Sequence, residues 1–233
     1  MTQLSYQIRR GEIETYFDRT AAQAWARLTS DAPVGRIRAT VRAGRDRMRS
    51  TLLSWLPADL RGTRLLDAGC GTGALAVEAA RRGAYVVAID LSPTLVDLAR
   101  HRLPADIGAG HIEFRFGDML DPALGEFDWV VGMDSLIHYQ APDAVRVLAD
   151  LAQRTRAAML FTFAPSNPAL AAMHAVGKLF PRGDRAPAIV PVGEATLRRL
   201  LSREPQLQAW AAQRTERVVS GFYTSQAMEM IRR

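Results

Sequence analysis

The chain has 233 residues, 48% of them hydrophobic and 23% charged, which suits one α/β core and excludes a disordered or fibrous chain. Cys70 is the only cysteine, so an intrachain disulfide framework is excluded and a reducing, cytoplasmic setting suffices. The formal net charge is +6, with Lys178 the one lysine among 30 basic residues; the excess favours anionic partners without choosing among nucleic acid, an anionic membrane surface and a carboxylate substrate, and scattered arginines also fit a merely solvated surface.

Taken from the start, Arg9, Arg10, Glu12 and Glu14 interrupt the first apolar pieces, so this stretch reads neither as a secretory signal nor as a membrane span. Residues from Tyr6 to about Leu60 read as helical arms. Tyr16, Phe17, Trp25 and Leu28 are the apolar residues of the first arm. In the second, Arg36 to Leu56, Ile37, Val41, Met48, Leu52 and Trp55 fall at helical spacing opposite Arg38, Arg42, Arg45 and Arg49. That basic face reads first as solvated, next as a surface for acidic lipid or a partner protein, and it could also place one arginine on a substrate carboxylate.

From Arg64 short apolar strands alternate with amphipathic helices. The strands are Arg64 to Ala68, Ala84 to Ile89, Ile112 to Arg115, Trp129 to Met133 and Ala158 to Phe163; the helices are Leu75 to Arg81, Pro93 to Arg102 and Pro142 to Arg154. The alternation predicts a mostly parallel sheet with helices on both faces. Pro165, Pro168, Pro181, Pro187 and Pro191 break the next stretch, which reads as a helix and loop inserted over the site. The tail from Gln208 to Ile231 supplies a final antiparallel strand pair, with Trp210 to Arg217 open between helix and strand. The expected division is residues 1–60 as N-terminal arms and 61–233 as the catalytic domain, with an inserted lid at 164–192.

The strongest local signal is Leu65-Leu66-Asp67-Ala68-Gly69-Cys70-Gly71-Thr72-Gly73, after a strand and before a helix. Glycines there allow a tight turn and a close backbone approach to a ligand. Gly69, Gly71 and Ala74 also satisfy a permissive dinucleotide fingerprint, but Asp67 beside the loop repels phosphate and can bind an ammonium group. The ordered set resembles motif I of class I S-adenosylmethionine methyltransferases, and a Rossmann-like fold with a seven-stranded sheet and an antiparallel last strand is what that resemblance implies. Asp90 ends the second strand, where a carboxylate can take both ribose hydroxyls, or can cap the helix begun by Ser92 and Pro93. The class places an apolar residue against adenine, here Leu91, and the Asp of Gly117-Asp118-Met119 on the adenine amino group. After the fourth strand, Met133 and Asp134 begin the segment Asp134-Ser135-Leu136-Ile137-His138-Tyr139, where the class contacts the methionine end and the acceptor.

The Tyr16-Phe17 arm with Trp25, the arginine-rich helix leading to Leu53-Ser54-Trp55-Leu56, motif I, Met133 to Tyr139 and the turn Thr162-Phe163-Ala164-Pro165 together resemble the magnesium-protoporphyrin IX O-methyltransferases of bacteriochlorophyll synthesis. The resemblance implies methyl transfer from S-adenosylmethionine to a porphyrin propionate, with Tyr16 and His138 at the acceptor; Tyr6 is a second tyrosine of the same arm. A propionate titrates near the ordinary Glu value of about 4.3 and is already an anion at neutral pH, so no general base is required. The magnesium belongs to the substrate, with His138 or His174 available to its axial position. His101, His111, His138, His174 and Cys70 show no zinc-like spacing, so no protein-bound metal is expected. The family reading further implies contact with the magnesium chelatase large subunit and peripheral contact with the photosynthetic membrane. Against it stand a phenolic acceptor, for which His138 would act as base, an RNA acceptor, for which no base-methylating motif or RNA-binding module is visible, and a cofactor-binding regulator on the same fold.

Overall fold

The computed structural model describes residues 3–16, 18, 29, 35–166 and 188–233. Phe17, Trp25, His174 and the middle of the expected lid lie outside the described residues.

The centre of the molecule is β1 (Arg64–Ala68), flanked in parallel by β2 (Tyr85–Asp90) on one side and β4 (Phe127–Gly132) on the other. Parallel pairing continues outward to β3 (His111–Phe116) and to β5 (Thr155–Phe163). β7 (Tyr223–Arg232) runs antiparallel to β5 and pairs with β6 (Trp210–Ser220) as a hairpin, so the full order is β3-β2-β1-β4-β5-β7-β6. This is the expected seven-stranded sheet, and Trp210 to Arg217 resolves as strand. The central strands are covered on both faces, which is why they read as unbroken apolar runs rather than alternating ones. The chain leaves β1 towards β2 and β3, then returns to the other side of β1 with β4. Such a reversal opens a crevice beyond the carboxyl ends of the strands.

Helices α2 (Arg36–Trp55), α3 (Ala74–Arg81) and α4 (Pro93–His101) build the core on one face, where Met48, Leu52, Ala76 and Val96 meet Leu65, Val86 and Leu160. The other face is covered by α5 (Ala141–Ala152), α6 (Glu194–Arg203) and, through Ile13, by α1 (Gln3–Thr15). Thus α2 shares its core with the sheet. α6 is an element that the proline-rich stretch before it obscures in the sequence, although Gly193, Leu197 and Leu201 carry a helix start and a buried stripe.

Two features bring α2 down onto the hairpin. Gly44 is buried, and a Cβ there would stand 2.5 Å from Tyr223 Cδ1. The next residue, Arg45, donates to Asp134 Oδ2 at 2.6 Å across the end of β4. Asp134 also accepts from the Tyr223 hydroxyl at 3.1 Å, from Ser225 Oγ at 3.1 Å and from Thr162 Oγ1 at 3.2 Å, while its own amide donates to Thr162 Oγ1 at 2.7 Å. Its φ of +55° is the one left-handed value at a non-glycine among the described residues, a conformation that Asp tolerates better than most side chains. One carboxylate therefore joins α2, β5, β7 and the loop after β4. Asp134→Ala should lower unfolding free energy by about 3–5 kcal/mol in urea titrations, because Arg45 loses its buried carboxylate partner and Tyr223, Ser225 and Thr162 lose their shared acceptor. Gly44→Ala should cost about 1–3 kcal/mol by overpacking against Tyr223.

Candidate active site

Asp67 sits on β1 at 2% exposure, and its Oδ2 has no hydrogen-bond partner among the described residues. Burial, and then the charge of Asp90, push its carboxyl up to about 7. The loop that follows is left-handed at Gly69, Gly71 and Gly73, with φ of +86°, +53° and +78°. Two of these glycines are needed by the protein's own packing. A Cβ on Gly69 would lie 2.5 Å from Ser135 Cβ, and one on Gly73 would lie 2.9 Å from Phe114 Cε1. Gly71 turns its amide to Asp90 Oδ2 at 2.8 Å, and the amides of Gly69 and Cys70 both reach Ile89 O at 2.9 Å, so the loop is strapped to the end of β2.

Asp90 accepts from Ser92 N at 3.0 Å through Oδ1. The cap of α4 is Ser92 itself, whose Oγ accepts from Leu95 N at 3.2 Å. Asp90 is therefore not the helix cap. The backbone amides of Ser92, Gly71 and Leu91 hold the carboxyl down against the larger upward push of burial, and the hydrogen bonds from Gly71 and Ser92 fall on different oxygens, which leaves room on each for a further donor.

Past β4, Ser135 leads into a single 3-10 turn, Leu136–His138, which leaves His138 at 7% exposure and Tyr139 at 3%. The ends of the proline-rich insertion are pinned beside this turn. Val190 N donates to Ile137 O at 2.8 Å, and Val192 pairs with Pro165.

These elements enclose a cavity of about 650 Å³. Tyr16 and His138 both line it, as do Asp67, Gly69, Gly71, Asp90, Leu91, Met119, Met133 and Asp134. Gly73 does not; it supplies the left-handed cap of α3. Asp118 is also absent from the wall. Its Oδ1 accepts from the Tyr6 hydroxyl at 2.7 Å and from Leu120 N at 2.9 Å, and Arg10 donates to Oδ2 at 2.8 Å. Tyr6 stacks on Tyr139 with centroids 5.3 Å apart. Asp118 thus anchors α1, between the cavity-lining Gly117 and Met119, and of the two arm tyrosines it is Tyr16 that lines the cavity. Asp134 lines the wall, but its carboxylate is taken by the four protein donors described above, so its contribution is structural.

Sequence reasoning missed several wall residues. Ser135 Oγ is buried with no hydrogen-bond partner among the described residues, and nothing in a lone Ser signals that. Phe222, Tyr223 and Ser225 come from the hairpin, far along the chain from motif I. Arg38, Arg42, Arg45 and Arg49 line the same cavity, so the basic side of α2 is more than a solvated face.

The donor set fits S-adenosylmethionine. An unmatched buried carboxylate oxygen on Asp67 suits an ammonium group, Asp90 has capacity for two hydroxyls, and Leu91, Leu95 and Met119 offer apolar surface for a purine. As a co-substrate it supplies a methyl group on a sulfonium centre.

Residues 132–232 match the family model for the magnesium-protoporphyrin IX methyltransferase C-terminus, and residues 65–157 match a methyltransferase domain. The magnesium-protoporphyrin O-methyltransferase of Rhodobacter capsulatus is 51% identical over 221 residues, covering 94% of this chain and 95% of that one. The enzyme of the same name from Synechocystis is 28% identical over 94% of this chain and 95% of its own length. The crystal structure of magnesium protoporphyrin IX methyltransferase from Synechocystis PCC 6803 with bound SAH superposes with a TM-score of 0.83 at 27% identity, over 96% of this chain and 100% of that one. The chain belongs to the magnesium-protoporphyrin O-methyltransferases, S-adenosylmethionine-dependent enzymes on the class I methyltransferase fold.

Proposed function

We propose that the chain methylates a propionate carboxylate of magnesium-protoporphyrin IX, forming the monomethyl ester in bacteriochlorophyll biosynthesis. The observation that carries this reading is the composition of the one cavity wall. The donor-binding residues Asp67 and Asp90 share it with Tyr16, His138 and the arginines of α2.

The chemistry asks little of a base. The acceptor is an anion at neutral pH and the donor a cation, so charge disappears as the ester forms, and a site of low polarity does not oppose that change. What the protein must do is hold the acceptor oxygen in line and remove its water. His138 and Tyr16 orient it by hydrogen bonds. Tyr16 of the first arm, Val41 of the second, and Ala164 and Ile189 at the two ends of the insertion line the cavity and help to keep solvent from it. Met133 sits at the methionine end of the donor site.

Contact with the magnesium chelatase large subunit and with the inner photosynthetic membrane belongs to the same proposal. Among the described residues no helix is long and apolar enough to cross a membrane. Phe222 and Ile37 are exposed at 76% and 59% near arginines of α2, a combination suited to an apolar, anionic surface.

Labelled S-adenosylmethionine, offered with magnesium-protoporphyrin IX, metal-free protoporphyrin or bulk RNA, tests the reading. Label should appear as a base-labile monoester of the magnesium porphyrin, and label on RNA or on no porphyrin would overturn it. Asp67 gives a second expectation. Because its carboxyl rises from an ordinary 3.8 to about 7, the folded free protein holds a proton there that the unfolded chain has lost, so this group's contribution to stability falls as pH climbs through that window. Thermal scans of ligand-free protein should show Asp67→Asn flattening that fall. The same titration predicts that S-adenosylmethionine affinity, measured by calorimetry, weakens about tenfold per pH unit below 7, and that Asp67→Asn abolishes this dependence while weakening binding throughout.

A further inference from the structure

Ser135 stands where a serine hydroxyl ordinarily serves the backbone. It is the N-cap of the 3-10 turn Leu136–His138, a position from which the side-chain oxygen commonly accepts from an amide of the first turn, yet it makes no such bond. Its Oγ is instead buried, with no hydrogen-bond partner among the described residues. A buried hydroxyl left unmatched is unfavourable in the free protein, so the fold alone does not account for it. Two glycines make room for this side chain. A Cβ on Gly69 would lie 2.5 Å from Ser135 Cβ, and one on Gly132, the last residue of β4, would lie 3.0 Å from Ser135 Oγ. Asp134, left-handed at φ +55°, turns the chain just before it, and Ser135 comes to rest against the first glycine of the donor loop. That glycine lies two residues past Asp67, and Asp67 and Ser135 both line the cavity. β1 and β4 are neighbours in the sheet. Their carboxyl ends therefore each bring one unmatched oxygen to the same wall, Asp67 Oδ2 from β1 and Ser135 Oγ from the loop after β4.

We propose that Ser135 is a further donor-binding residue, whose Oγ accepts a hydrogen bond from the α-ammonium group of S-adenosylmethionine beside the carboxylate of Asp67. An ammonium group carries several N–H donors and no acceptor, so a single carboxylate oxygen attracts it without fixing how it is turned. A second oxygen, set on a different loop, removes that freedom. The amino-acid chain of the donor is short and flexible, and the sulfonium methyl sits at its other end; holding the ammonium at two points limits the swing of that methyl relative to Tyr16 and His138. A neutral hydroxyl suits the second place, because another carboxylate beside Asp67 and Asp90 would add to the repulsion that already disfavours their ionised forms. The proposal concerns the donor site alone, and it holds whichever acceptor is methylated.

Calorimetry on the full chain tests this with two ligands: S-adenosylhomocysteine, which keeps the α-ammonium group, and its analogue in which hydrogen replaces that group. Ser135→Ala should weaken S-adenosylhomocysteine by about tenfold or more, the size of one hydrogen bond to a charged group. Affinity for the analogue should stay at the wild-type value. Because the hydroxyl that is removed has no partner in the free protein, the ligand-free thermal midpoint of Ser135→Ala should equal or exceed that of wild type. Lost affinity without lost stability is the signature of a group kept for its ligand. Equal weakening of both ligands, with or without a lowered midpoint, would assign the hydroxyl to packing or to another part of the donor and overturn the proposal. So would an unchanged affinity for S-adenosylhomocysteine.

Discussion

The architecture depends on the carboxylate of Asp134. It stands at the carboxyl end of β4, in a backbone conformation that strains any side chain with a Cβ, and it gathers Arg45, Tyr223, Ser225 and Thr162 from three other elements. An anion so placed would be expensive to bury alone; with four donors it becomes a junction. The consequence is positional. Arg45 and the close approach at Gly44 bring α2 over the hairpin, and the neighbouring Ser135 fits into the space that Gly69 leaves. The donor loop, the acceptor turn and the basic helix are therefore tied to one point.

A second constraint is electrostatic. Asp67 is a buried acid whose ionised form is disfavoured by burial and by Asp90; Asp90 accepts from the amides of Gly71 in the glycine loop and of Ser92 after β2, whereas Asp67 Oδ2 has no hydrogen-bond partner among the described residues. A cation that binds there relieves a cost already present in the free protein. The facing helix α2 sets Arg38, Arg42, Arg45 and Arg49 on the same cavity wall, Arg45 and Arg49 in ion pairs with Asp134 and Asp46, and a reaction that consumes the charges of both its ligands gains from being kept away from water.

Much of this was legible in the residues. The strands β1 to β5 announce themselves as apolar runs because they are buried on both faces, and motif I is readable because left-handed turns demand glycine. β5 starts three residues earlier than its apolar run suggests, since Thr155 and Arg156 precede it and polar residues mask a strand's entrance. What could not be read was partnership. Asp118 and Asp134 stand where the class places ligand contacts, yet their partners Tyr6, Arg10, Arg45 and Tyr223 lie 89 to 112 positions away in sequence. No local spacing reveals which carboxylate will be spent on the fold. The same holds for Tyr6 and Tyr16, which share one arm, and for the arginines of α2, whose periodicity shows that they share a face without showing what the face meets.

The central claim is that the protein orients and desolvates an acceptor that is already ionised, with His138 as a positioning partner rather than a base. The most direct measurement is the single-turnover rate of porphyrin ester formation from the preassembled ternary complex between about pH 6 and 9, for wild type and His138→Gln. The account predicts a rate that is flat across this range in both proteins and lower in the variant. A wild-type rate that rises with a single titration in the histidine range, and loses that titration in His138→Gln, would contradict it.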